Sequence, residues 1–346
     1  MKQSTRNVWL QVITATLIIA LLVFQGIWKR TTEFDSGYRE VMGTFARVLV
    51  VASDKKSALN SIDAAMQAIE RVDTLMSDYD PNSQLSQVNR DAFAAPVAVE
   101  PEVFEVISAA VEYSRLSGGA FDVTIGPVVQ LWRQAKETGV APTPDQLAQA
   151  RAKIGYQHLH LDPQAKTVRF SVEGMFLDLG GIAKGYAIDK AVWAMKEAGA
   201  LGGMVDIGGD LACFGTPIGK NPHWYIALQD PAAEENTLLR LKFDNQSVAT
   251  SGDYRRFTVL NGQKHSHIMN PTTADSVTDL SSVSIIAPTA MQADALATAV
   301  SVLGSEKGLA MIETIPDVQA ILIPSGQPDK MIFTSGIEPY LDNTSK

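Results

Sequence analysis

Apolar positions along the chain follow two rhythms. Over residues 57–76, Ile62, Met66, Ile69, Val72 and Met76 recur at helical spacing, and Val103, Val106, Ile107, Ala110 and Val111 repeat the stripe over 101–116, with Gly118 beyond it. The run "TPDQLAQARAKIG" predicts a further helix, with Thr143 as N-cap, Pro144 in the first position, Gln146 closing a capping box and Gly155 ending it. "TAMQADALATAVSVLG" predicts another, in which Thr289 caps, Gln292 completes the box and Gly304 stops the helix. "HLHLD" and "TVRFSV" read as paired strands around "PQAK". Further strands are expected at 203–207, 224–229, 247–250, 255–260, 282–287 and 318–324. This alternation predicts a mixed α/β chain with antiparallel pairs, not a doubly wound sheet.

The amino terminus breaks the pattern. After Lys2 and Arg6 comes "VWLQVITATLIIALLVFQGIW", residues 8–28, followed by Lys29 and Arg30. A run of that length and character can span a bilayer core as a helix. It lacks both a small-x-small cleavage site before Lys29 and a cysteine for lipidation, so an uncleaved anchor over 1–30 is expected. The flanking charges balance and do not orient it. The favoured placement is the inner membrane, with the body outside the cytoplasm, in the periplasm. A cleaved signal sequence would leave the same exported body. Residues 31–41 read as a polar linker, and the body as 42–340.

Composition narrows the classes of function. The 346 residues are 46% hydrophobic and 19% charged, enough apolar material for a large core. A net charge of -9 without a dense Lys/Arg block argues against nucleic acid as a partner. The single cysteine, Cys213, excludes an intramolecular disulfide and a cysteine-cluster metal site.

The sharpest chemistry lies in two places. In "DLGGIAKGYAIDKA", 178–191, the apolar run "MFLDL" meets glycines and Lys184 at an expected strand-to-helix corner. Such corners suit anions, yet the spacing is neither a Walker loop nor a dinucleotide fingerprint, so a tight structural turn reads equally well. Asp294 and Thr298 stand four apart on the last helix, so both project from one face as half of a hard-cation site. The bland alternative is a solvated aspartate near a helix N-terminus. "MSDYDPNSQLSQVN" puts Tyr79 in a turn, "LSGGAFDVTIGPVVQLW" puts Phe121 and Asp122 after glycines, and "SHIMNPTT" puts His267 before a proline turn.

Taken in order, eight segments resemble the FAD:protein FMN transferase (ApbE) family over about 300 residues: "MGTFARV", "SDYDPNSQLSQVN", "GGAFDVTIGPVVQLW", "DLGGIAKGYAIDKA", "VDIGGDLACFG", "SVATSGDYRRF", "HIMNPTT" and "ADALATAV". The resemblance implies a two-lobed, T-fold-like α/β body with FAD in the groove. It implies a flavin ring between Met42 and Tyr79, with Ala120, Phe121, Asp122 and Met269 beside the flavin, and Asp178 and Lys184 contacting FAD. A main-chain carbonyl at Gly181 would join Asp294 and Thr298 around Mg²⁺. The implied reaction moves FMN from FAD to a threonine hydroxyl of an acceptor electron-transport subunit, releasing AMP. His267 is the implied base, with Asp294 counted as catalytic through its metal. The alternatives use the same groove: a pyrophosphatase giving FMN and AMP, or an anchored FAD-binding protein without turnover. Two departures stand out. Asn270 and Ala274 replace the acid and glycine of the family's usual D-P-x-T-G, and Asp206 stands where asparagine is common.

Overall fold

The computed structural model describes residues 31–219, 222–252, 257–260 and 262–342, and the anchor expected at 1–30 lies outside them. The described chain opens with β1 (Thr32–Asp35), β2 (Arg39–Val41) and β3 (Thr44–Ala52), then α1 (Lys55–Met76), α2 (Gln84–Asp91) and β4 (Val97–Ala98). Helices α3 (Pro101–Leu116), α4 (Gly126–Thr138) and α5 (Pro144–Arg151) follow, then the hairpin β5 (Leu159–Asp162) and β6 (Thr167–Phe170). Helix α6 (Ala183–Glu197) leads into β7 (Gly202–Ile207), β8 (Asp210–Gly215), β9 (Trp224–Asp230) and β10 (Ala233–Phe243). Next come β11 (Ser247–Gly252), β12 (Phe257–Leu260), β13 (Gln263–Ser266) and β14 (Leu280–Ala287). Helix α7 (Ala290–Ile312), β15 (Gln319–Pro324) and β16 (Ile332–Phe333) complete it.

Nine strands make one antiparallel sheet in the order β1-β3-β7-β8-β11-β14-β15-β16, with β2 also on β3. Strand alternation explains its two faces. Ala46, Val48 and Val50 of β3 point to a helix-covered core with Ile62, Ile69 and Ile188, whereas Val51 points to the other side. Likewise Val283 and Ile285 of β14 pack with Leu296 and Val300 of α7, while Ile286 faces the β9–β10 hairpin through Trp224 and Phe243. Helices therefore cover one face and a hairpin the other. Because the sheet is continuous, the expected two-lobed division is not a division of the sheet.

Most predicted elements form. The α5 capping box has both of its reciprocal bonds, and β5 pairs with β6 around Lys166. The mixed α/β, antiparallel reading holds. Several expectations need correction. Residues 31–41 carry strands, not a linker: β1 pairs with Leu49–Ala52, and Arg47 of β3 bonds Asp35. Helix α5 ends at Arg151, before Gly155, whose φ of 147° belongs to the following turn. At Gly304 the helix breaks but resumes in a new direction. Gln292 donates its backbone N–H to the Thr289 hydroxyl, but the reciprocal bond from the Thr289 N–H to the Gln292 side chain is absent, so only half of the expected box forms, and the Ala290 and Met291 N–H groups go to Asp189. The run 175–179 is extended but bridges only once, at Phe176 with Ile125, so the glycine corner follows a loop rather than a strand.

Candidate active site

The corner at 178–185 is locked from three directions. Asp178 accepts the Gly180 N–H at 2.8 Å and the Arg133 guanidinium at 2.9 Å. Burial, with the nearby Asp78 charge adding, raises its carboxyl above the ordinary range against the pull of Arg133. A Cβ on Gly185 would collide with the Ala290 carbonyl, so glycine there permits α6 and α7 to touch. The contact is reciprocal. Gly185 donates its N–H to Asp294 on α7 at 3.0 Å, and Asp189 on α6 accepts the first two N–H groups of α7 at 2.8 and 2.9 Å.

An open oxygen lies beside that exchange. Gly181 precedes the α6 N-cap, Ile182, so its carbonyl stands outside the helical ladder, and the Gly185 N–H is one of the first-turn donors that a helix leaves unpaired. Asp294 takes that N–H, and no donor among the described residues reaches the Gly181 carbonyl. Thr298 packs against the same residue, its hydroxyl 2.9 Å from where a Gly181 Cβ would stand. Other helical hydroxyls, such as Ser114 and Ser301, bond back to the i−4 carbonyl. The Thr298 hydroxyl does not, and has no partner among the described residues. Asp294 is 3% exposed. Its Oδ1 accepts from Lys184 Nζ at 3.1 Å, and the same ammonium bonds Asp210. Burial pushes the Asp294 carboxyl upward against the Lys184 charge. Burial alone would depress the Lys184 ammonium, but Asp210 and then Asp294 reverse that and hold it above its ordinary range.

At the other end, Tyr79 stands 77% exposed, with the Arg133 guanidinium 4.6 Å over its ring. Arg133 also bonds Asp78, so one side chain ties the Tyr79 turn to the corner. Met42 has φ 52°, a left-handed conformation rare outside glycine, and its N–H is pinned by Asp73 at 3.1 Å. The next residues, Gly43 and Thr44, line the cleft between these two ends, together with Tyr79, Ala120, Phe121 and Asp178. The cleft encloses about 620 Å³, inside the roughly 300–1,000 Å³ usual for small-molecule sites.

The ApbE family profile matches residues 42–322. The chain belongs to the ApbE family. A FAD:protein FMN transferase of Treponema pallidum is 34% identical over 313 residues, covering 85% of each chain. One from Vibrio cholerae is 31% identical, covering 84% of this chain and 86% of that one. The crystal structure of an ApbE protein from Thermotoga maritima superposes with a TM-score of 0.82 at 28% identity, over 90% of this chain and all of that one. The ApbE flavin transferase of Vibrio cholerae gives 0.78 at 29% identity, with the same coverage.

Within this ApbE chain, the residues expected from the sequence converge unevenly. Gly181, Lys184, Asp294 and Thr298 meet at the buried end, and Asp178, Phe121, His267 and Met269 line the same cleft. Asp122 also lines it, but its carboxylate is occupied: Oδ1 accepts from Thr124 and Oδ2 from the Tyr156 N–H. Met42 is not among the lining residues, although its neighbours are. The turn after His267 survives both departures. Asn270 Oδ1 accepts the N–H groups of Thr272 at 2.8 Å and Thr273 at 3.3 Å, work an amide oxygen does as well as a carboxylate. Ala274 adopts φ 60°, the glycine-like conformation, and its carbonyl accepts from Trp132. Asp206 accepts the Gly209 N–H at 2.8 Å and closes the β7–β8 turn.

Three cleft residues escaped the sequence reading. Asp210 is placed by the two-glycine turn in "IGGD", which was the available signal. Arg133 sits on α4 beside Trp132, with nothing local to mark its role. His265 packs against Trp132 with ring centroids 4.6 Å apart.

Proposed function

We propose that this chain transfers the FMN half of FAD to a hydroxyl of an acceptor protein and releases AMP, with Mg²⁺ as its metal. The observation that carries the reading is the meeting, in the cleft of an ApbE-family chain, of the Gly181 carbonyl, which has no donor among the described residues, the Thr298 hydroxyl and the Asp294 carboxylate. These are hard oxygen donors of the kind that Mg²⁺ prefers. Among the described residues no three acidic, histidine or cysteine side chains cluster, so the site relies on neutral oxygens beside one carboxylate.

Gly181, Asp294 and Thr298 would hold the cation, which when bound withdraws negative charge from the diphosphate and steadies the departing AMP. The chain's own residues do the rest. Tyr79 offers an aromatic face to the flat ring, and the thioether of Met42, next to the cleft-lining Gly43, would have to turn toward it to supply the second face. The corner brings the N-terminus of α6 toward the diphosphate. His267, at the cleft wall, takes the proton as an acceptor threonine oxygen bonds the FMN-side phosphorus and the bond to the AMP oxygen breaks. Electron-transport subunits are the proposed acceptors. The proposed location is the inner membrane, body outward, which the apolar run at 8–28 supports.

The test incubates the purified body with FAD, Mg²⁺ and an acceptor domain bearing a threonine site. Covalent flavin on the acceptor, lost when EDTA is added, is expected. Free FMN without labelled acceptor would make the chain a pyrophosphatase, and unchanged FAD would make it a binding protein. In the transfer assay His267→Ala should lose turnover while keeping FAD affinity.

A further inference from the structure

Lys184 reaches the cation end from inside the protein, and it holds what a cation would need. Its ammonium is 3.1 Å from Asp294 Oδ1, while the other oxygen of that carboxylate is taken by the Gly185 N–H. It also bonds Asp210, which is anchored in turn by the Thr250 N–H at 2.9 Å. Two carboxylates and one ammonium leave the cluster a single negative charge. Adding a divalent cation alone would turn it positive in a poorly solvated place, which is unfavourable. A diphosphate arriving with the cation restores the balance and gives Lys184 a second anionic partner besides Asp210.

We propose that Lys184 competes with the divalent cation for Asp294, and that the diphosphate relieves this competition, so cation and dinucleotide bind cooperatively. The inference rests on the transferase reading of the cleft and adds an order to it: neither ligand binds well without the other. By linkage, the factor by which FAD tightens the cation is the factor by which the cation tightens FAD. A lysine serving only as a structural strut would produce no such coupling.

The experiment uses the full chain and three variants, Lys184→Met, Lys184→Gln and Lys184→Arg, each checked for folding by near-UV circular dichroism. Mn²⁺ binding is followed by electron paramagnetic resonance without FAD, and FAD binding by flavin fluorescence in EDTA. Lys184→Met is expected to bind Mn²⁺ about tenfold more tightly than the parent, the scale on which partners of metal ligands act, and FAD in EDTA less tightly. Lys184→Gln, which loses the charge and keeps a donor, should behave likewise and stands in if Lys184→Met does not fold. Lys184→Arg keeps the charge and should not tighten Mn²⁺. Opposite shifts for the two ligands support the competition; Mn²⁺ affinity unchanged or lower in a folded neutral variant overturns it alone. If no protein binds Mn²⁺ with or without FAD, the cation reading falls too.

Discussion

At one end of the cleft Lys184, Asp210 and Asp294 join three charges beneath the surface. At the other, the Tyr79 ring lies open, with the Arg133 guanidinium over it. The first end holds its charges in fixed partnerships before any ligand arrives, and each partner removed leaves another buried and unpaired. The second end relies on a stacked ring and ion pairs of a half-exposed arginine, which are individually weak. Changes at the buried end should therefore abolish chemistry, and changes at the open end should weaken binding by graded amounts.

The sharpest way to break this contrast is Asp294→Asn. Transfer should fall on the order of 10³-fold, comparable to losing a principal electrostatic stabiliser, in single-turnover assays at saturating FAD. Retention of a tenth of the activity would show that the buried end is not where the chemistry is held. Tyr79→Ala comes next: FAD affinity should fall about tenfold, the scale of one stacked aromatic face, with turnover at saturation nearly kept. Equal loss in both quantities would erase the difference between the ends. Arg133→Met should lower FAD affinity severalfold and reduce the melting temperature, because Asp78 and Asp178 then face each other without a cation. The thermal shift should shrink at low pH, where Asp178, raised by burial and by Asp78, takes up a proton. A shift that grows on acidification would contradict this.

Two left-handed residues supply the finest test. Met42→Asn should change stability by less than about 1 kcal/mol, since asparagine tolerates this conformation better but gives up the packing of Met42 on the core, while weakening FAD binding. Denaturant melts and flavin titrations check both halves. If FAD binding is unmoved, the strain at Met42 has no bearing on the ligand. Ala274→Gly should change stability by less than about 1 kcal/mol, because relief of backbone strain is offset by a lost buried methyl and a freer unfolded chain. A large gain would mean that backbone strain at Ala274 outweighs the packing of its methyl group.

Local signals carried much of this molecule. The Thr143–Gln146 box, the helical stripe from Ile62 to Met76 and the β5–β6 alternation all announce themselves within a few residues. So did the Asp294–Thr298 spacing, because a helix converts sequence distance directly into a shared face. What stayed hidden depends on approach between distant segments. Strand β1 looked like a linker because its residues are mostly exposed and its pairing with Leu49–Ala52 lies beyond any local pattern. Asp210 meets Lys184 across 26 positions, and Arg133 meets Asp178 across 45. The meaning of Gly185 was likewise invisible: it marks a helix crossing, and only the crossing shows that its N–H, an orphan of the first turn, serves Asp294.

The bonds exchanged between α6 and α7 also have a mechanical consequence. Gly185 is fastened to Asp294, and Asp189 to the start of α7, so the glycine corner and α7 move as a single riveted wall. A groove with one rigid side yields elsewhere, and Phe257 and His267 line this one from segments outside α6 and α7. Traffic through the cleft is then governed by those segments rather than by the α6–α7 pair.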